Sequence, residues 1–258
     1  MPHSISIAAP RKADRTPVPK QLESESSDDD EPSGPLSYSA SSSDDTVPST
    51  VIPFERVELI YPDRILCLGA SESGKTTLIR NIIRRYISSG RTIAPDGRCV
   101  FWFGANAHQE SSWLPKSHQC DHVSKKKLTA IREMMRKGFA GRYVVIVLDD
   151  VLGETFHNDK FYADFISTCR HDRVILVIGL QYLRSVPPVI RENVKRFFVC
   201  SINNQTKKSL YELSSNPNQY DFFGRLSELQ KGEPVLIDVR PGVKQECTRV
   251  AVPKLERL

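Results

Sequence analysis

No stretch of this chain is apolar for long enough to cross a bilayer. Its longest such runs, Val144–Leu148 and Val174–Leu180, fall far short of the ~20 residues that a spanning helix needs. No apolar run of signal-peptide length stands near the N-terminus either, so a soluble, intracellular protein with no membrane partner is expected. Paired cysteines are also lacking. Cys67, Cys99, Cys120, Cys169, Cys200 and Cys247 are spread singly, which suits reduced, buried thiols better than a disulfide framework. There is no internal repeat. Large apolar residues are scarce in residues 1–50, where Glu23 and Glu25 alternate with serines ahead of the acidic run Asp28 to Glu31. Such a segment cannot offset the entropy of ordering, so 1–50 is expected to be a disordered tail and 51–258 one folded domain.

Charge divides at the same place. The first fifty residues carry four Lys/Arg against nine Asp/Glu, a net of −5, which leaves 32 against 22 and a net of +10 for the rest. A basic folded part suits a polyanionic partner such as nucleic acid, with scattered solubilising charge as the ordinary alternative.

Around residue 70 the pattern becomes specific. The apolar run Ile65, Leu66, Cys67, Leu68 precedes Gly69-Ala70-Ser71-Glu72-Ser73-Gly74-Lys75-Thr76-Thr77, and apolar residues then recur every three to four positions at Leu78, Ile79, Ile82, Ile83, Tyr86 and Ile87. This is strand, glycine loop, helix. Small residues let consecutive backbone N–H groups curl around an anion, and the helix adds unpaired N–H groups and the positive end of its dipole. In this spacing Lys75 reaches the β- and γ-phosphates of a nucleoside triphosphate and the Thr76 hydroxyl binds Mg²⁺. The helix should stop at Ser88-Ser89-Gly90. A turn at Pro95 to Gly97 leads into a strand over 98–103, completing a βαβ unit and implying a mainly parallel sheet with helices on its faces.

Downstream, Tyr143–Leu148 is a nearly continuous β-branched run ending at Asp149 and Asp150. Runs of this kind are strands buried on both faces, and ligands sit at the carboxyl ends of such strands. An acid there holds Mg²⁺ in a P-loop NTPase. Asp149 is assigned to the metal, and Asp150 to polarising the attacking water. A second buried strand, Val174–Leu180, ends at Gln181, whose amide either senses the γ-phosphate and orients water or merely satisfies nearby backbone.

Several features point less sharply. Residues 105–123 read as irregular; His108, His118, Cys120 and His122 lie there without the second ligand pair of a structural zinc site, so a surface loop is the default. Ser124 should cap a helix to about Lys137 that buries Leu128, Ile131, Met134 and Met135, its other faces being basic. Those faces either touch DNA or are simply solvated. The Pro187-Pro188 pair reads as a rigid turn into a short helix. Helices near 206–213 and 220–231 and an edge strand at 234–239 should complete the domain.

Taken together, the glycine loop, Leu148-Asp149-Asp150, Arg170-His171 before the strand ending at Gln181, and Pro187-Pro188-x-Ile190-Arg191-x-Asn193 resemble the poxvirus-type DNA-packaging ATPases of the FtsK–HerA superfamily. The resemblance runs from roughly Val51 to Val239. The superfamily often has Asp-Glu where this chain has Asp149-Asp150, a shorter second acid. The resemblance implies a three-layer P-loop NTPase core with the Gln181 strand between the P-loop strand and the Asp149 strand. It also implies ATP and Mg²⁺ as cofactors, sequence-independent contact with double-stranded DNA, capsid proteins as partners, and residence at a site of viral assembly. Finally it implies a homo-oligomeric ring in which an arginine of one subunit completes the neighbour's site, Arg170 first and Arg173 second. Two rivals remain open from the residues alone. One is a small-molecule P-loop kinase, although no lid segment is visible. The other is a nucleotide-gated interaction protein that binds through its acidic tail.

Overall fold

The apolar run before the glycine loop forms strand β2 (Arg64–Leu68), and the three-to-four periodicity after it forms helix α1 (Lys75–Ser88). Ser89 and the left-handed Gly90 (φ 71°) end that helix where the sequence places its stop. The computed structural model describes residues 51–94, 99–151, 159–183, 188–214, 219–227, 229–230, 232–241 and 247–254. The expected tail at 1–50, the turn at Pro95 to Gly97, and Pro187 lie outside the described residues.

Among the described residues nine strands form one sheet. Besides β2 they are β1 (Val51–Pro53), β3 (Val100–Phe103), β4 (Gln119–Cys120), β5 (Val144–Asp149), β6 (Val174–Leu180), β7 (Arg196–Val199), β8 (Val235–Asp238) and β9 (Cys247–Ala251). Their order is β1-β9-β8-β7-β2-β6-β5-β3-β4. Among the pairings of these described strands, only β7–β8 and β8–β9 are antiparallel. β6 lies between β2 and β5, with Leu68 opposite Leu180 and Asp149 opposite Gly179. The expected strand arrangement is therefore present, and three carboxyl ends converge on one edge.

Alternation along the strands sends apolar side chains to both faces, as a sheet covered on both sides requires. Ile65, Cys67, Val145, Val147, Ile175 and Val177 pack toward α1, where Leu78, Ile79, Ile82, Ile83 and Tyr86 are almost fully buried. At about 1.5–3 kcal/mol per large apolar side chain, that stripe is what holds the glycine loop against the sheet. The opposite face of the sheet packs on α3 (Lys125–Gly138), α4 (Lys160–Thr168), α5 (Pro188–Asn193), α6 (Asn204–Ser214) and α7 (Gln219–Ser227). This is the expected three-layer α/β sandwich. The Ser124 hydroxyl accepts from the Lys127 amide and so caps α3 as expected; in its stripe Leu128, Ile131 and Met135 are buried and Met134 only partly so.

Two expectations need correcting. Residues 105–123 are not wholly irregular. They contain a short helix, α2 (Ala107–Glu110), a 3-10 turn (Lys116–His118) and β4. Gln119 organises them, its buried side-chain amide donating to the carbonyls of Ser111 and Leu114. β8 is not an edge strand either: β9 adds beyond it and β1 beyond that.

Candidate active site

Gly74 adopts φ 93° at the start of α1, a conformation open to glycine at little cost. Its carbonyl accepts the Leu78 amide and starts the helical ladder. Gly69 is needed for a different reason. A Cβ there would lie 2.3 Å from Ser73 Oγ and 3.0 Å from the Cys200 Cβ, so a side chain would require Ser73 and Cys200 to give way. Gly69 N donates to the Leu180 carbonyl, tying the loop to the strand that ends in Gln181.

A cavity of about 590 Å³ opens above these carboxyl ends. Ala70, Ser71, Glu72, Gly74, Lys75, Thr76 and Thr77 line it from the loop and α1, and Asp149, Asp150 and Gln181 from the strand ends. Gly69 and Ser73 are absent from its wall. The other sequence-predicted residues thus gather around one cavity, apart from Arg170.

Lys75 is buried and lies between the two acids, its Nζ 2.8 Å from Asp150 Oδ1 and 4.0 Å from Asp149 Oδ1. The acids differ in environment. Asp150 is exposed, takes a left-handed φ of 51°, which Asp tolerates better than most residues, and accepts from Gln181 Nε2 at 3.2 Å. Asp149 is mostly buried, and its Oδ1 has no hydrogen-bond partner. Burial raises its pKa from 3.8 to about 6; Lys75 opposes the rise, and Asp150 and Glu110 add to it. A buried carboxylate oxygen without a hydrogen-bond partner, at a cavity that Thr76 also lines, is donor chemistry that a hard divalent cation takes, with water completing its shell.

Among the residues that sequence reasoning missed here, five stand out. Trp102 and Asn106 line the cavity, as do Arg80 and Glu110, which form a pair: Arg80 donates to the Glu110 carbonyl and carboxylate, each at 2.8 Å. Gly179 is the fifth. A Cβ on it would fall 2.3 Å from Asp149 Oδ1 and 2.9 Å from Ile79 Cδ1, so only glycine lets the Asp149 carboxylate settle against β6. A glycine inside an otherwise continuous apolar strand was the available signal.

Arg170 stands elsewhere. It is exposed, donates from Nε to His171 at 3.4 Å, and precedes the amino end of β6, whereas the cavity lies beyond that strand's carboxyl end. Seven residues of strand at ~3.3 Å each put about 23 Å between the two ends. Arg173 is tied back, donating to the Met135 carbonyl. No cluster of three or more metal-ligating side chains occurs among the described residues, and two of the candidate histidines have other partners: His108 pairs with Gln119 and Asp121, and His118 stacks on Phe101.

The basic faces of α3 are also engaged. Arg132 and Arg136 each place Nε 2.6 Å from the buried carboxylate of Asp172, Lys125 pairs with Asp159, and Lys127 donates to the Ser117 carbonyl. Much of that charge is therefore structural. Among the described residues no helix is long and apolar enough to cross a membrane.

A mainly parallel sheet, a glycine loop feeding a helix, and a lysine facing strand-end acids define the class: a P-loop NTPase fold. Within that class, the family model described as Poxvirus A32 protein matches residues 114–216, a stretch holding Asp149, Arg170 and Gln181 but not the glycine loop. The chain is 25% identical over 154 residues to protein 088R of Invertebrate iridescent virus 3, the match covering 58% of each chain. Among solved structures it is similar to the genome packaging NTPase B204 from Sulfolobus turreted icosahedral virus 2 in complex with sulfate, with a TM-score of 0.58 and 15% identity, covering 77% of this chain and 100% of that one. The same NTPase in complex with AMPPCP superposes with a TM-score of 0.52 and 13% identity, covering 69% and 93%. These likenesses agree with the resemblance carried by the motifs.

Proposed function

We propose that this chain hydrolyses ATP to drive double-stranded DNA, independently of its sequence, into a viral capsid. The observation that carries the reading is the constellation at the strand ends: Lys75 between Asp149 and Asp150, with Gln181 delivered from the intervening strand. Support comes from the Poxvirus A32 match and from the fold shared with B204, described as a genome packaging NTPase and solved with AMPPCP.

In this reading the loop amides and Lys75 hold the β- and γ-phosphates, and the triphosphate replaces Asp150 as the partner of Lys75. Asp150 is then free to accept a proton from, or orient, the attacking water, and Gln181, already hydrogen-bonded to Asp150, fixes its direction. Thr76 and Asp149 would hold Mg²⁺, which supplies charge neutralisation at the phosphates. Catalysis is thus positioning plus charge stabilisation. Arg170 is too far from its own subunit's cavity to act there, which suits an arginine presented to the next subunit of a homo-oligomeric ring. Contact with DNA would be to phosphates and hence weakened by salt, and capsid proteins would be the docking partners at the assembly site.

The test is the ATPase rate with and without double-stranded DNA at low salt, for wild type and Lys75→Ala. DNA should stimulate wild type and do nothing for the variant. A wild-type rate indifferent to DNA would remove the motor reading, and phosphoryl transfer to a small acceptor would replace it with the kinase.

A further inference from the structure

Arg80 and Glu110 line the phosphate cavity, yet neither belongs to the glycine loop or to the strand-end acids. Arg80 follows Thr76 by four residues on α1, so the two share a helix face and lie about 6 Å apart along its axis. Its Nε donates to the Glu110 carbonyl and its guanidinium to Glu110 Oε2, each at 2.8 Å. Glu110 is the last residue of α2, where helical carbonyls lack intrahelical partners. One arginine thus closes α2 and fixes its terminal carboxylate. From this geometry we infer that Glu110, braced by Arg80, is a positioning residue for the divalent cation, accepting a hydrogen bond from a water that the cation carries. The inference rests on the reading above in which Thr76 and Asp149 hold Mg²⁺.

The side of the cavity is set by the helix. Arg80 stands one turn beyond Thr76 and brings Glu110 to the face that carries the threonine hydroxyl. Asp149 feels the same carboxylate, since Glu110 is among the charges that raise its pKa. The form of the contact follows from the cation. Mg²⁺ gives up its waters reluctantly and takes only one or two carboxylates besides phosphate oxygens. Among the described residues no cluster of three or more metal-ligating side chains occurs, so Glu110 reaches the cation through water and not as a direct ligand. Partners of this kind orient what the metal holds and contribute to its affinity. Glu110 is 32% exposed and Arg80 30%, so the carboxylate is open to water.

Charge gives the carboxylate its sign of action. Glu72, Glu110, Asp149 and Asp150 line the cavity against Lys75 and Arg80, four carboxylates to two cations among the described residues. A bare polyphosphate is repelled by that excess, and a dication relieves it. Glu110 therefore opposes the metal-free nucleotide and favours the metal-loaded one. A residue that only held α2 in place would support both alike. An Arg80 that bound phosphate directly would have to leave both of its bonds to Glu110, and would then act without it.

The full-length protein should be titrated by calorimetry with AMPPCP, once in chelator and once in excess Mg²⁺. The ratio of the two affinities measures what the cation contributes. Glu110→Gln should cut that ratio about 10–100-fold, while its affinity in chelator holds or tightens, which also reports that the variant is folded. Arg80→Ala should lower the ratio in the wild-type background and leave it unchanged in the Glu110→Gln background, because Arg80 acts through Glu110. An unchanged ratio in Glu110→Gln, whether or not the affinities themselves fall, would overturn the inference. A ratio that Arg80→Ala lowers equally in both backgrounds gives Arg80 its own contact with the nucleotide and removes the bracing role. Wild type that binds AMPPCP equally with and without Mg²⁺ removes the cation site itself, and wild type that binds it in neither condition removes the phosphate site.

Discussion

Asp149 should make the site's electrostatic cost measurable as stability. Its carboxyl is 13% exposed and its Oδ1 has no hydrogen-bond partner, and burial carries its pKa from 3.8 to about 6 against the pull of Lys75. A carboxyl whose folded value exceeds its unfolded one is neutral in both states at low pH and costs nothing there. As pH rises from about 4 to about 6 the unfolded chain ionises first, and above that the folded state bears the full penalty. At about 1.36 kcal/mol per tenfold, the penalty is on the order of 3 kcal/mol at pH 8 and about 1 kcal/mol at pH 4.5. Asp149→Asn keeps the shape and removes the charge. It should therefore gain about 2–3 kcal/mol over wild type at pH 8 and no more than about 1 kcal/mol at pH 4.5. For a domain of this size that is a Tm rise of roughly 4–10 °C at the higher pH. Thermal and urea unfolding of nucleotide-free protein in chelator, at both pH values, reads the difference. A variant offset that does not change with pH, or a loss of stability at pH 8, would refute the reasoning. Turnover should be lost in the same variant, since a neutral amide is a far poorer ligand for a divalent cation.

Gly179→Ala should displace the Asp149 carboxylate, because the new Cβ would sit 2.3 Å from its Oδ1; we expect steady-state ATPase to fall about tenfold or more with tripolyphosphate binding retained. Arg170→Ala should cost ~10³ in turnover, about 4 kcal/mol of barrier, without loss of ATP binding, and the defect should be rescued by mixing with a Lys75→Ala subunit that still supplies Arg170; near-normal turnover removes that assignment. Asp172→Ala leaves Arg132, 17% exposed, without its carboxylate and should destabilise by roughly 3–5 kcal/mol in urea titrations. DNA-stimulated turnover per folded molecule should hold in that variant if Arg132 and Arg136 are structural, and change if they contact DNA.

What could be read from the sequence was local. β2, α1 and β6 begin and end almost where periodicity and the glycine loop place them, because each signal lies within a few residues of the structure it specifies. The strand at 234–239 is present, and only its edge position fails, because its neighbour β9, Cys-Thr-Arg-Val-Ala, mixes polar and apolar residues and acquires its role only by pairing with β8 and β1. The order in 105–123 likewise comes from Gln119, which reaches back to Ser111 and Leu114. The site divides the same way. The phosphate loop and the two acids are contiguous words in the sequence, whereas the Arg80–Glu110 pair joins residues 30 positions apart. Gly179 shows the limit most directly. Taken alone, a glycine in a buried strand signals only that something approaches closely. Register supplies the rest, since Gly179 lies opposite Asp149 and its missing side chain is the space that the carboxylate occupies. The acid that the motif announces can thus sit where it does only because of a glycine that the motif does not contain.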